Sequence, residues 1–221
     1  YIYFGLCILN THAQNHLPNV FSDHTLDKTG SSLRRQAKIA SSSVKIGTDI
    51  DEFLFSRNEL RSTILSNAKV RTDNNIPLDL LSTDTINMNT YRIENIRFQS
   101  GSGVYVTANL YVPNGEGPFP AIINMHGHWP DGRRTEITQT TAQLLAMNGY
   151  VCLNIDAWGA GERGTNEHEH EYHGSNLGAS LLDVGETLMG MQLTDNIRGV
   201  DLLCSLPFVD KENIGTTGAS G

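Results

Sequence analysis

Residues 213 to 221 read Asn-Ile-Gly-Thr-Thr-Gly-Ala-Ser-Gly, a short strand-like run that leads directly into glycine, alanine, serine and glycine. In a G-x-S-x-G motif the serine stands on a strained turn between a strand and a helix, and small neighbours let its hydroxyl project from the backbone. Ala219 and Gly221 are small enough for such a turn around Ser220, although the same residues also suit a flexible glycine turn. The stretch therefore predicts an exposed, nucleophilic serine if the preceding elements form the matching sheet.

The elements upstream of this stretch predict an α/β sheet. Ile93, Ile96 and Phe98 mark one strand, and Gly101-Ser102-Gly103 supplies a turn. Apolar and polar residues then alternate strictly from 104 to 112, which predicts an antiparallel hairpin with one buried face. Two short apolar strands follow at 120–125 and 150–155, with a helix over about 135–148 between them and a long helix from about 181 to 205 after them. Strands that alternate with helices in this way are typical of a parallel arrangement. The residues expected to line the buried face of the helix over about 135–148 are Ile137, Thr141, Leu144 and Leu145.

Composition and charge exclude several classes of protein. The chain has 221 residues, 38% of them hydrophobic, which suits one large domain or two small ones and excludes overall disorder. Its net charge of −8 disfavours nucleic acid or an anionic membrane surface as a partner. The 3 cysteines are too few and too scattered for a disulfide framework. We expect Cys152 and Cys204 to be buried thiols that act as small apolar side chains.

The N-terminal part predicts export and an extension before the main domain. Residues 1–13 begin with nine mostly apolar residues and end at a possible cleavage site after Ala13, as in the second half of a secretory signal peptide, although a short buried strand is the alternative. A lipid anchor on Cys7 is disfavoured because a bulky leucine precedes it. We therefore expect a secreted or periplasmic protein with no membrane association after cleavage. Residues 14–90 are predicted to form a partly helical extension, with the better helix over about 49–68, and residues 91–221 the main domain.

Three motifs in the main domain carry a family resemblance. His126-Gly127-His128 directly follows the first apolar strand, and Asp156 opens a D-x-x-G-x-G loop directly after the second. The long helix contains Asp195-Asn196-Ile197-Arg198, and the serine turn comes last. In this order the motifs resemble the α/β-hydrolase superfamily, and more closely its acetylxylan-esterase and dienelactone-hydrolase-like branch. The resemblance spans about Tyr91 to Gly221.

The resemblance implies a truncated α/β-hydrolase fold that ends at the nucleophile turn and assigns roles to five residues. Ser220 would be the nucleophile of a Ser-His-Asp triad, and the acid and the histidine would follow later in the chain, beyond residue 221. The backbone N–H groups of His128 and Gly221 would hold the oxyanion. His126 and Gly127 would support that loop, with the His126 imidazole orienting it rather than transferring a proton. No cofactor is implied.

The resemblance implies a serine esterase that removes acetyl or similar acyl groups from a carbohydrate or another small ester, and it implies that these 221 residues alone are inactive. A serine at this position argues against a dehalogenase or a true dienelactone hydrolase. Two alternatives remain open, namely a serine peptidase of the prolyl-oligopeptidase type and a non-catalytic binding module on a hydrolase scaffold. His168, His170 and His173 have a spacing that suits a divalent metal. Because they lie in a polar loop, we expect a solvated rim of the active site that binds no metal.

Overall fold

A computed structural model of the chain describes residues 28–44, 47, 49–72, 75–164 and 176–219. The predicted signal-peptide segment lies outside the described residues. Contacts between residues divide the chain into two compact units, residues 1–58 and 59–221. This division does not test the domain boundaries expected from the sequence, which stay a prediction.

Two helices occupy the described residues before position 68. Helix α1 spans Lys28–Ser42 and has no buried residue. Helix α2 spans Ile50–Asn67, which confirms the helix predicted over about 49–68. Its first turn is capped by Asp49, whose carboxylate accepts a hydrogen bond of 2.9 Å from the Glu52 N–H.

The second unit contains six strands, β1 Leu81–Asn87, β2 Tyr91–Gly101, β3 Val104–Pro113, β4 Phe119–Met125, β5 Val151–Ile155 and β6 Val209–Gly218. They form one sheet with the order β1-β2-β3-β5-β4-β6. Strands β2 and β3 form the predicted antiparallel hairpin, and β3 also pairs antiparallel with β5. Strand β4 lies parallel to both β5 and β6, as predicted. Strand β1, which the sequence did not predict, pairs antiparallel with β2.

Helices cover both faces of this sheet. Helix α3 (Glu136–Met147) packs on one face, where Ala142 and Ala146 join a cluster with Cys152. Helices α4 (Asn176–Asp183) and α5 (Leu188–Ser205) follow later in the chain, and α5 packs on the opposite face through Leu202 and Leu203. Since successive side chains of a strand point to opposite faces, β5 contributes to both clusters. Within the described residues, no helix has the length and apolar character needed to cross a membrane.

The prediction of one long helix from 181 to 205 is wrong, because the chain breaks between α4 and α5. Gly185 has a φ of 77°, which continues no right-handed helix. Thr187 then caps α5, its hydroxyl oxygen accepting a hydrogen bond of 2.9 Å from the Gly190 N–H. The predicted burial of Cys152 is confirmed, whereas that of Cys204 is wrong, because Cys204 is exposed and the residues just before it face the sheet.

The predicted buried face of α3 is also wrong in part. Ile137 and Leu144 are 51% and 57% exposed, and the residues of α3 that are buried are Thr138, Ala142 and Ala146. These small side chains let the helix axis lie close to the sheet, so the helix is held through a narrow contact rather than through its largest apolar residues.

The chain just before the sheet lies along α5. The Ala68 carbonyl accepts a hydrogen bond of 2.6 Å from the Thr187 hydroxyl, and the Arg71 N–H donates one of 3.0 Å to the Thr194 hydroxyl oxygen. Further along, the Arg198 guanidinium donates to the Ile76 carbonyl at 2.6 Å. These bonds fix the entry of the chain into β1 against the helix that precedes β6.

Candidate active site

The carboxyl ends of β4, β5 and β6 meet at one edge of the sheet, where the loops 126–134 and 156–164 and the end of β6 lie together. The Ala219 N–H donates a hydrogen bond of 3.3 Å to the Met125 carbonyl oxygen. A Cβ atom at Gly218 would lie 2.8 Å from the same oxygen, so only glycine permits this approach of β6 to β4. Ser220 and Gly221 follow directly in sequence but lie outside the described residues.

His126 joins the first two loops. Its side chain is buried, its Nδ1 lies 2.7 Å from the Gly127 carbonyl oxygen, and its Nε2 accepts a hydrogen bond of 3.0 Å from the Ala157 N–H. Because Nε2 accepts, the neutral ring carries its proton on Nδ1. Burial lowers the pKa of His126, although the bond to Gly127 and the nearby Asp156 act in the opposite direction. His128 is exposed at the edge of the loop.

Asp156 is the most enclosed charged residue of the site, with no exposed surface. Its Oδ2 accepts hydrogen bonds from the Thr107 hydroxyl at 2.7 Å, from the Glu162 N–H at 3.3 Å and from the Arg133 guanidinium. Its Oδ1 accepts a bond of 2.9 Å from the Arg133 N–H. We call Asp156, Thr107, Arg133 and the Glu162 N–H the Asp156 clamp. A buried carboxylate is tolerated only with partners of this kind, and four donors nearly fill its acceptor capacity.

Two glycines make room for the Asp156 carboxylate. Gly132 and Gly161 have φ values of 53° and 57°, and a Cβ atom at either would lie 2.3 Å from Asp156 Oδ1. The Gly161 N–H also donates a bond of 2.8 Å to the Pro130 carbonyl. The two loops are therefore folded around one carboxylate and joined to each other beside it.

The Asp195 and Arg198 of the helical motif have separate partners. Asp195 accepts a hydrogen bond of 2.6 Å from Arg163, whose guanidinium also donates to the Asp156 carbonyl at 3.0 Å and lies 4.7 Å from the Trp158 ring centroid. Burial raises the pKa of Asp195, and the Arg163 charge partly offsets this. Arg198 instead pairs with Asp201 of its own helix at 2.8 Å.

The sequence motifs located His126, Asp156 and Asp195 but missed the residues that bind them. Thr107, Arg133 and Arg163 lie in other elements, and only the folded sheet brings them to the same edge. Two sequence signals pointed to the clamp: the position of Asp156 directly after a buried strand, at the edge where α/β proteins build their sites, and the D-x-x-G-x-G motif that it opens.

The histidines proposed as a metal-binding alternative, His168, His170 and His173, lie outside the described residues. Among the residues that are described, no group of three or more histidine, cysteine, aspartate or glutamate side chains is arranged to hold a metal ion.

Comparison with known proteins gives a family match and several relatives. Residues 61–221 match the model of the family described as acetyl xylan esterase (AXE1). The Bacillus subtilis (strain 168) protein named "Putative hydrolase YtaP" is 31% identical over 116 residues, which are 48% of this chain and 36% of that protein. The chain therefore spans about a third of the length of this curated relative.

Solved structures share the fold. A Bacteroides fragilis NCTC 9343 protein, described as a "putative acetyl xylan esterase", has a TM-score of 0.67 at 16% identity, over 90% of this chain and 56% of that one. The acetyl xylan esterase from Paenibacillus sp. R4 has a TM-score of 0.53 at 20% identity, over 82% of this chain and 55% of that one. These similarities, with the strand order and the parallel β4, β5 and β6, show an α/β-hydrolase fold of which the chain spans about half. Since the family match covers well over half of the chain, the chain belongs to the acetyl xylan esterase (AXE1) family.

Proposed function

We propose that the full-length protein containing this chain is a serine esterase with Ser220 as its nucleophile. The observation that carries the proposal is the hydrogen bond of 3.3 Å between the Ala219 N–H and the Met125 carbonyl. It holds the residue before Ser220 against the end of β4, where the His126-Gly127-His128 loop begins. Ser220 therefore comes one residue after Ala219, which this hydrogen bond holds beside the proposed oxyanion loop.

In the proposed reaction the Ser220 Oγ attacks the acyl carbonyl carbon, and a histidine later in the chain takes the hydroxyl proton. The backbone N–H groups of His128 and Gly221 stabilise the oxyanion of the tetrahedral intermediate. The alcohol leaves with the proton from that histidine, and water then hydrolyses the acyl-serine to release the acid. Loss of one oxyanion donor typically costs about 3 to 4 kcal/mol of transition-state stabilisation.

Within this proposal His126 supports the loop and does not transfer a proton. Both ring nitrogens of His126 already have backbone partners, the Gly127 carbonyl and the Ala157 N–H. A proton transfer through this ring would have to break one of those contacts in a buried environment. The base is therefore assigned to a later histidine, in keeping with the chain order of nucleophile, acid and histidine in this fold.

For the substrate we propose an acetylated carbohydrate such as acetyl xylan. The family match names that class of esterase, and the net charge of −8 suits a neutral ester better than an anionic one. A secreted or periplasmic location, the expectation from residues 1–13, would give the enzyme access to a polymeric substrate.

The test compares the full-length wild type with Ser220→Ala and with Ser102→Ala, a matched change in the exposed turn between β2 and β3. Hydrolysis of p-nitrophenyl acetate and release of acetate from acetylated xylan are measured for each. We expect Ser220→Ala to lose activity by about 10³-fold or more and Ser102→Ala to match the wild type. Unchanged turnover in Ser220→Ala would refute the nucleophile, and binding of acetylated xylan without release of acetate by the wild type would favour the binding module.

A further inference from the structure

Asp156 has a structural setting that its position in a motif does not explain. Its side chain is fully buried, yet it draws donors from three separate segments: the hydroxyl of Thr107 on β3, both the N–H and the guanidinium of Arg133 after β4, and the Glu162 N–H after β5. A charge in such a place is costly unless it is fully paired. Four hydrogen-bond donors therefore surround one carboxylate at the edge of the sheet where the reaction is proposed to occur.

Two glycines allow the backbone to pass close to the Asp156 carboxylate. Gly132 and Gly161 both adopt the left-handed conformation, and both lie so close to Asp156 Oδ1 that no side chain would fit. Each loop thus turns at the point where it meets the carboxylate. Any change in the position of Asp156 will be transmitted to both turns.

One of these loops is the proposed oxyanion loop, which is held at its two ends by the segment that follows β5. At its start, the His126 Nε2 accepts from the Ala157 N–H at 3.0 Å. At its end, the Arg133 N–H donates to Asp156 Oδ1 at 2.9 Å. Between these anchors, the Trp129 N–H donates to the Gly127 carbonyl at 2.8 Å, which tightens the turn around residue 128.

We propose that Asp156 is a positioning residue for catalysis: through Arg133 it fixes the loop 126–134 and thereby orients the His128 backbone N–H toward the oxyanion. Asp156 touches neither the substrate nor the nucleophile in this role. The inference rests on the proposed esterase function and deepens it. It requires the Asp156 clamp to affect the turnover of bound substrate more than the binding of substrate, because an oxyanion donor acts in the transition state.

The experiment uses the full-length protein and three variants. Asp156→Asn removes the charge at the centre of the clamp, and Thr107→Val removes one donor from β3 while keeping the shape of the side chain. Glu94→Gln is the matched control, because it breaks an ion pair of 2.7 Å with Arg92 that lies outside the clamp. Each variant is checked by thermal unfolding, and kcat and KM are measured with p-nitrophenyl acetate and with its thionoacetate analogue.

We expect Asp156→Asn to lower kcat by about 100-fold, which is the loss that a displacement of about 1 Å can cause, with KM within about threefold of the wild type. Thr107→Val should lower kcat by about 3- to 10-fold, as expected for one lost hydrogen bond. Glu94→Gln should leave both constants unchanged. Sulfur accepts hydrogen bonds more weakly than oxygen, so the thionoester should lose less rate than the ester in both clamp variants.

Folded Thr107→Val and Asp156→Asn proteins with wild-type kcat would overturn the inference, as would equal losses on the ester and the thionoester. If Asp156→Asn does not fold, Thr107→Val decides alone. If the proposed esterase function fails, the Ser220→Ala experiment shows it, because the wild type would be inactive or Ser220→Ala would be active. That result would also remove the basis of this inference.

Discussion

Replacing Gly161 by alanine tests whether the loops are built around the Asp156 carboxylate. Gly161 has a φ of 57°, and a Cβ atom there would lie 2.3 Å from Asp156 Oδ1 and 2.7 Å from Oδ2. Gly103, in the turn between β2 and β3, is the matched control: its φ is 71°, and a Cβ atom there would meet nothing within 4 Å. The two substitutions share the backbone cost and differ only in the clash.

The expected magnitudes follow from these distances. An L-residue in the left-handed region costs roughly 1 to 2 kcal/mol, which both variants bear. In Gly161→Ala the carboxylate must also move and lose at least one charge-assisted hydrogen bond, which adds about 1.5 to 3 kcal/mol. We therefore expect a loss of about 2.5 to 5 kcal/mol for Gly161→Ala and of about 1 to 2 kcal/mol for Gly103→Ala.

The assay is urea unfolding of the two full-length variants beside the wild type. The free energies of unfolding are compared at matched m-values, so that a change in stability is separated from a change in the denatured state. Equal losses of stability in the two variants would show that the Asp156 carboxylate moves aside without cost, and that the loops are not built around it.

Three further predictions follow from the structure. Burial lowers the pKa of His126 below its usual 6.5, so His126 should leave the unfolding free energy unaffected above pH 6.5 and lower it by up to about 1.4 kcal/mol per pH unit below pH 6.5, until the folded-state pKa is reached. Between pH 7 and 5, the unfolding free energy of His126→Gln should therefore fall less steeply with pH than that of the wild type, and equal slopes would contradict this. The 221-residue chain alone should show no esterase turnover of p-nitrophenyl acetate, because the histidine proposed as the base is assigned to a later position in the chain; turnover that Ser220→Ala abolishes would contradict this. Within the described residues β6 pairs only with β4 and ends the sheet, so the same chain alone should aggregate or bind a hydrophobic dye. A monomer by light scattering that also melts cooperatively by calorimetry would count against an open edge at β6.

Much of the sheet could be predicted from the sequence because its signals are local. The alternation in β2 and β3 has the period of a half-buried strand, and the apolar runs of β4 and β5 are typical of strands buried on both faces. Strand β1 escaped prediction because all of its residues, Leu81–Asn87, are exposed. Such a strand forms through its hydrogen bonds to β2 and leaves no pattern of burial in its sequence.

The helices show a similar limit. The apolar spacing from 181 to 205 continues across the break between α4 and α5, so periodicity alone did not reveal it. The break is encoded by the glycine at 185 and the capping threonine at 187, which act through local backbone geometry rather than through hydrophobicity. The side of α5 that faces the sheet then depends on packing against β4 and β5.

The candidate site was predicted only as separate motifs. Asp156 was recognised by its place after a buried strand and at the start of a D-x-x-G-x-G loop, but Thr107 and Arg133 are 49 and 23 residues away from it in sequence. No local pattern links residues at such separations, and the pairing of β3 with β5 and the turn at Gly132 bring them together. The clamp is therefore a property of the folded sheet.

The role of Ser220 as nucleophile is tested by trapping the acyl-enzyme of the full-length protein. The enzyme is mixed with p-nitrophenyl acetate, quenched in acid within milliseconds and digested, and the peptides are analysed by mass spectrometry. We expect one acetyl group on Ser220 of the wild type and none in Ser220→Ala. A protein that hydrolyses the ester while Ser220 stays unmodified, or that is acetylated at another residue in step with turnover, would contradict it.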